Sequence, residues 1–244
     1  MGHAAAIDSL LAGIPRLWRG REPNRHQRAL STGHGRLDMH LPGGGWPVGA
    51  VTELVTSQPG LGEFSLLFPA LAEISHNGHW LILVDPPWVP YPAALQGHGL
   101  ALERLLLVRT DSARESLWAC EQALHGIQGG AVLAWPEHVS FARLRRLQLA
   151  AEANAKLAFL FRPEQALTSA SPCALRLRLQ GAAQGNAQDS ARGNTWGTRI
   201  DLIKCRGKCR STLSSESVWI PHRHVHMHPT PGCSLQRQST EAIN

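Results

Sequence analysis

Strands and helices alternate through the middle of this chain, which predicts a three-layer α/β fold with a mostly parallel central sheet. Three observations carry that expectation. Short unbroken apolar runs such as Trp80–Val84 suit strands covered on both faces. The segments between them show helical apolar spacing. Two late runs, Ala174–Leu179 and Thr198–Ile203, have no helical pattern between them and predict a closing antiparallel pair.

The elements follow in order. Ala50–Val55 is a Val-rich strand. Glu63–His76 has Phe64, Leu67, Leu71 and Ile74 at helical spacing and stops at Asn77-Gly78. Trp80–Val84 and Leu105–Val108 are strands. Ser112 and Glu115 have capping-box spacing, and the helix they start places Leu117, Cys120, Leu124 and Ile127 on one face. Ala131–Trp135 is the next strand. Phe141–Asn154 is a helix with Phe141, Leu144, Leu147 and Ala151 inward, and Leu157–Phe161 is a strand closed by Arg162-Pro163. Trp80 and Trp118 fit core positions. A Gly/Ala/Gln/Asn stretch over 181–194 reads as a flexible loop.

These elements divide the 244 residues into three parts: an N-terminal arm with an Arg-rich linker (1–30), a core (31–210), and a basic, His-rich tail (211–244) expected to be disordered. The charge divides the same way. The total is +6, but residues 31–191 are net −2, and the excess sits in residues 1–30 (+3) and 192–244 (+5). A basic DNA-binding core is therefore not expected. The charged share, 17%, argues against general disorder, and no apolar stretch is long enough to span a bilayer. The N-terminus lacks the order of a secretory signal, and five cysteines make a poor disulfide framework, so a reducing cytoplasm is expected.

Residues 31–49 contain Ser31-Thr32-Gly33, then Leu37-Asp38, then Leu41-Pro42-Gly43-Gly44-Gly45-Trp46-Pro47 and Gly49. This opening block, followed by a strand, resembles the start of the RecA recombinase core. The resemblance continues to about residue 210, where Thr198–Lys204 is similar to a late antiparallel strand of that family. The phrases L-P-G-G-G-W-P, A-V-L-A-W-P, L-R-R-L-Q-L-A-A-E and F-L-F-R-P are closer still to the ImuA proteins, SulA-like relatives of RecA associated with translesion DNA synthesis. The implied fold is RecA-like.

The implied nucleotide site can be checked residue by residue. A phosphate loop needs G-x-x-x-x-G-K-[ST], because its glycines admit phosphate to backbone N–H groups, its Lys bridges the outer phosphates and its hydroxyl holds Mg²⁺. The corresponding loop has Ser57 for the first glycine, then Pro59, Gly60 and Gly62, with Glu63 for the Lys and Phe64 for the hydroxyl. Asp85 remains after the second strand, but Pro87 stands at the catalytic Glu position. Trp135 ends the strand where a Mg²⁺-side Asp is expected. The expected protein neither hydrolyses nor tightly binds ATP and needs no cofactor: it is not an enzyme.

Other signals are weighed beside this one. Cys205, Cys209, His222 and His226 have zinc-finger spacing, but Pro221 would fall inside the ligand helix at a cost of about 3 kcal/mol, so no metal site is expected. Lys204, Arg206, Lys208 and Arg210 could contact a phosphate backbone or be a solvated strand end, and they lack interleaved aromatics. Ile7, Leu10, Leu11, Ile14, Leu17 and Trp18 could form a docking arm, as N-terminal segments do in RecA-type proteins. Trp46 and Trp88 sit at loop edges near the implied nucleotide site and suit a partner surface.

The resemblance therefore implies a non-catalytic adaptor of induced mutagenesis. Its implied partners are an inactive polymerase-like protein (ImuB), an error-prone replicative-type polymerase and RecA, with any DNA contact indirect. The alternative is a SulA-type division inhibitor acting on the tubulin-like protein FtsZ, since Glu53-Leu54-Val55 and Phe159–Pro163 resemble that family too.

Overall fold

The computed structural model describes residues 28–57, 62–126, 130–184, 195–206 and 217–221. Its centre is β3 (Ala50–Thr56), every residue of which is buried. Around it lie β4 (Leu81–Val84), β5 (Leu105–Val108), β6 (Ala131–Ala134), β7 (Leu157–Pro163), β8 (Leu175–Gln184), β9 (Thr195–Cys205) and β10 (Val218–Pro221), in the order β10-β9-β8-β3-β7-β6-β4-β5. The ladders from β5 to β8 are parallel; β9 and β10 are antiparallel to their neighbours. The expected closing pair is present, with a register shift between Arg176 and Leu177.

Alternation along the strands separates two cores. On β7, Leu157, Phe159 and Phe161 face the layer that holds α2 (Phe68–His76), while Ala158 and Leu160 face the other. That second layer is α4 (Ala113–His125) and α5 (Phe141–Asn154), which bury Cys120, Leu124, Leu144 and Leu147. Successive strand residues point to opposite faces, so a strand covered on both sides must be apolar throughout. Both helices start at serine caps: Ser112 Oγ accepts from Glu115 N and Ser140 Oγ from Arg143 N. The buried Lys156 donates from Nζ to Ala123 O in the last turn of α4, where a cation complements the helix dipole.

The opening block is a local lock. Asp38, at the end of the short α1 (Gly35–Asp38), accepts from Ser31 Oγ at 2.7 Å and Thr32 N at 2.9 Å. Gly33 has φ +77, and a Cβ there would meet Pro69 Cβ at 2.2 Å. That contact seats the block against α2 and explains why a glycine stands there. The short α3 (Pro92–Gly97) follows β4.

Several expectations are corrected. The tail expected to be disordered from 211 contributes β10, because Val218 and Ile220 bury themselves in the α2-side core. Ala29–Leu30, assigned to the arm, form β1 and pair with β2 (Trp46–Pro47). Strand β8 runs on to Gln184, into the stretch expected to be a loop. Helix α2 starts at Phe68 instead of Glu63, with turns before it. Trp80, Trp118 and Phe141, placed in the core from spacing, are substantially exposed.

Candidate functional site

The parallel strands β3, β4, β6 and β7 all end at one rim, where ligands bind in open α/β sheets. The described parts of the segment joining β3 to α2, Ser57 and the stretch from Gly62, line cavities at this rim, and Gly62 has φ +85. Gly60 lies outside the described residues.

A row of aromatic rings runs along the rim. His98 stacks on Phe68 with centroids 3.9 Å apart. Phe68 meets Phe64 edge-on at 5.1 Å, Phe64 leans on Trp135 at 6.3 Å, and Trp135 stacks on Phe161 at 4.6 Å. Phe64 and Trp135 are the two residues that stand at the Mg²⁺-binding positions of the resemblance. Here they make one continuous apolar wall. Burial pushes the His98 imidazole below its ordinary range, so at neutral pH it joins the row uncharged.

Two cavities flank the wall, of about 510 and 310 Å³. Glu63, Pro87 and Trp135 line both. The larger reaches Ser57, Glu137 and Arg162, and the smaller reaches Trp88, Tyr91 and Leu95. Glu63 is buried, so at the Lys position the cavity wall carries a carboxylate. Around the smaller cavity, Trp88 is 59% exposed, Val89 78% and Tyr91 64%. A rim this apolar and exposed is unusual unless something covers it.

Beneath the larger cavity lies an ion-pair triad that the sequence reading missed. Glu53, fully buried on β3, accepts from Arg162 at 3.2 Å and from Arg176 at 2.8 Å. Arg162 also reaches Glu137 O, and Arg176 reaches Ser169 O. A charged residue inside the apolar run of β3, with arginines in two strands that flank it, was the available signal. Burial, and secondarily the Arg176 charge, pulls the Arg162 pKa down, while Glu53 opposes the shift.

The remaining site expectations divide. Asp85 does not turn into either cavity. It sits at φ +48, and its carboxylate accepts from Thr110 N at 2.8 Å and Thr110 Oγ1 at 2.6 Å, latching the end of β4 to that of β5. The carboxylate of this residue, expected at a degenerate and inactive nucleotide site, is taken up by that latch. The partner-contact expectation for Trp46 is corrected. That tryptophan is fully buried, edge-on to Phe159 at 5.3 Å, and cannot contact a partner in this fold. Trp88 is exposed as expected. Lys204 Nζ donates to Ser171 O, and the Arg206 guanidinium lies 2.9 Å from Glu152. Both cations are thus engaged inside the fold, and Lys208 and Arg210 lie outside the described residues. So do Ile7, Leu10, Leu11, Ile14, Leu17, Trp18, Cys209, His222 and His226. Cys205 ends β9, and no metal-ligating cluster occurs among the described residues.

Comparison with known proteins gives modest likenesses. The chain is 27% identical over 120 residues to the cell division inhibitor SulA of Edwardsiella piscicida, covering 49% of this chain and 71% of that protein. It is 29% identical over 118 residues to SulA of Serratia marcescens, covering 48% and 70%. It is 32% identical over 107 residues to RecA of Chlorobaculum parvum, covering 44% of this chain and 30% of RecA. No family model matches. Together with the strand order, these likenesses give a RecA-like fold of the SulA/RecA-like superfamily. Among the described residues, no helix is long and apolar enough to cross a membrane.

Proposed function

We propose that this protein is a non-catalytic, RecA-like accessory factor of the SOS response, acting in the cytoplasm as an adaptor for an error-prone polymerase complex of the ImuA type. The likeness to SulA and to RecA supports an SOS-related role. The observation that carries the adaptor reading is the aromatic wall Phe64–Trp135–Phe161. It stands where an active relative holds phosphates and metal, and it opens onto the exposed Trp88–Tyr91 rim. Rings and a buried carboxylate suit a protein surface better than a triphosphate. Binding would use this rim and the N-terminal arm, and the partners would be an ImuB-like protein, the polymerase and RecA.

The test is co-purification of the chain with an ImuB-like protein and the error-prone polymerase from damage-induced cells, with a Trp88→Ala, Tyr91→Ala variant in parallel. Loss of the complex in the variant is expected. A complex that survives unchanged rejects the rim as its contact.

The second reading is a division inhibitor, favoured by the repeated SulA matches, each covering more than half of the matched protein. In that case overexpression would give filamentous cells and the purified chain would suppress FtsZ polymerisation. An adaptor would do neither.

A further inference from the structure

We propose that a cavity at the end of the sheet opposite the rim binds a small organic acid. Its carboxylate would sit between Lys156 and Arg104, and its apolar body on Trp80, Ile82 and Leu106. The proposal goes beyond the adaptor reading and does not depend on it. The cavity, of about 480 Å³, lies where β4, β5, β6 and β7 begin. Backbone hydrogen bonds fix its frame: Ala131 N donates to Trp80 O at 3.0 Å, and Leu157 N to Gly130 O at 3.1 Å. Gly130 has φ +93, and a Cβ there would meet Trp80 O at 2.5 Å. Only glycine lets the chain before β6 lie this close to the chain before β4.

The charge of this cavity is one-sided. Lys156 is 4% exposed, and among the described residues its ammonium has one acceptor, Ala123 O, for three N–H groups. Capping α4 thus uses one donor and leaves two. Arg104 lies over the Trp80 ring at 5.6 Å, and its guanidinium has no hydrogen-bond or ion-pair partner among the described residues. The one other ionisable side chain described on the wall is His79, and no described carboxylate lines it. A buried charge is costly unless it is paired. Burial accordingly holds the Lys156 pKa below its ordinary value. The group this wall lacks is an anion.

The rest of the wall selects the kind of anion. Trp80, Ile82, Leu106 and Val132 are apolar, and Trp80 is 39% and Leu106 47% exposed, so they are open to a ligand. An apolar wall with a few convergent polar groups is the form that small-molecule sites take. The two oxygens of a carboxylate match the two cations. A phosphate would bring more charge and a third acceptor oxygen into a mostly apolar wall, beside the negative end of the α4 dipole.

The test is isothermal titration calorimetry of the full chain with 2-naphthoate, and with 2-naphthamide and 2-naphthyl phosphate, which keep the rings and change the charge. Saturable binding of naphthoate below about 1 mM is expected, with the amide at least about tenfold weaker. Lys156→Gln should weaken naphthoate by about tenfold or more, and Arg104→Gln by about threefold. Arg143→Gln, which does not line the cavity, should change it by less than about twofold. Circular dichroism checks that each variant folds. Arg104, at the cavity edge, carries the test if Lys156→Gln does not fold. No binding below about 1 mM, equal binding of the amide, tighter binding of the phosphate, or binding that survives both cavity variants would overturn the proposal. So would tighter binding of a short acetylated glutamate peptide, since the anion would then belong to a protein partner.

Discussion

Trp135 lies flat on Phe161, with ring centroids 4.6 Å apart and planes 7° from parallel. The first residue immediately follows β6 and the second sits on β7, so the stack ties together two adjacent strand ends at the rim. It occupies the place where the RecA resemblance expects a metal-binding carboxylate and an open phosphate cradle.

The first prediction concerns this stack. A titration with a fluorescent ATP analogue should show no saturable, Mg²⁺-dependent binding at micromolar concentration. Trp135→Ala should not restore binding, since Glu63 and Phe64 remain. It should lower stability by about 2–3 kcal/mol in urea denaturation, from lost ring contacts at a half-buried site. Micromolar, Mg²⁺-dependent binding by the native chain would refute the pseudo-ATPase reading.

A second prediction follows from Glu53. Replacing it by Gln strands two buried guanidinium groups without a counter-charge and should cost about 3–5 kcal/mol. Replacing all three members by apolar residues of similar size should recover most of that loss. If Glu53→Gln unfolds at the native urea midpoint, the triad is not holding the β7–β3–β8 centre together.

Asp85 gives a pH dependence. Burial alone would raise its pKa, but the hydrogen bonds from Thr110 and Ser116 and the Arg109 charge outweigh it, and the net shift is downward. A depressed carboxylate contributes stability above its unfolded pKa, near 3.8, and loses it as pH falls through the lower folded value. Wild type should therefore exceed Asp85→Asn in urea midpoint at pH 6, and the gap should close below about pH 4. A gap independent of pH would show that the latch does not need its charge.

Thiol chemistry supplies a fourth test. Burial, and then the neighbouring Asp85 charge, pushes Cys120 up to about 12. Burial, and then Glu53, does the same for Cys173, also to about 12. With Cys205, Cys209 and Cys233 changed to Ser, the folded chain should not react with a disulfide reagent at about pH 8, and labelling should track global unfolding. Rapid labelling of the folded chain would mean that the α4–α5 core opens far more easily than its packing implies.

Much of this fold was legible because it rests on periodicity. Leu105–Val108 and Phe141–Asn154 have the bounds that the sequence predicts, since an unbroken apolar run and a capped 3.6-residue period are local signals. The Ser112 cap was readable for the same reason. Where spacing alone placed Trp118 and Phe141 in the core, it failed. An amphipathic helix tolerates a large apolar residue at the edge of its buried stripe, and only the neighbouring helix decides whether that edge is covered.

The candidate site divides along the same line. The sequence by itself determined the substitutions: Glu63 for a lysine, Phe64 for a hydroxyl, Pro87 for a carboxylate and Trp135 at a strand end. Each is an identity at a position that the motif spacing defines. Tertiary structure decided what those residues make together. The aromatic row from His98 to Phe161 draws on four separate segments, and the Glu53 triad spans β3, β7 and β8. It also buried Trp46, turned Asp85 toward Thr110 and drew Val218–Pro221 into the sheet. These outcomes depend on contacts between residues far apart in the chain, and packing sets such contacts where local propensity does not.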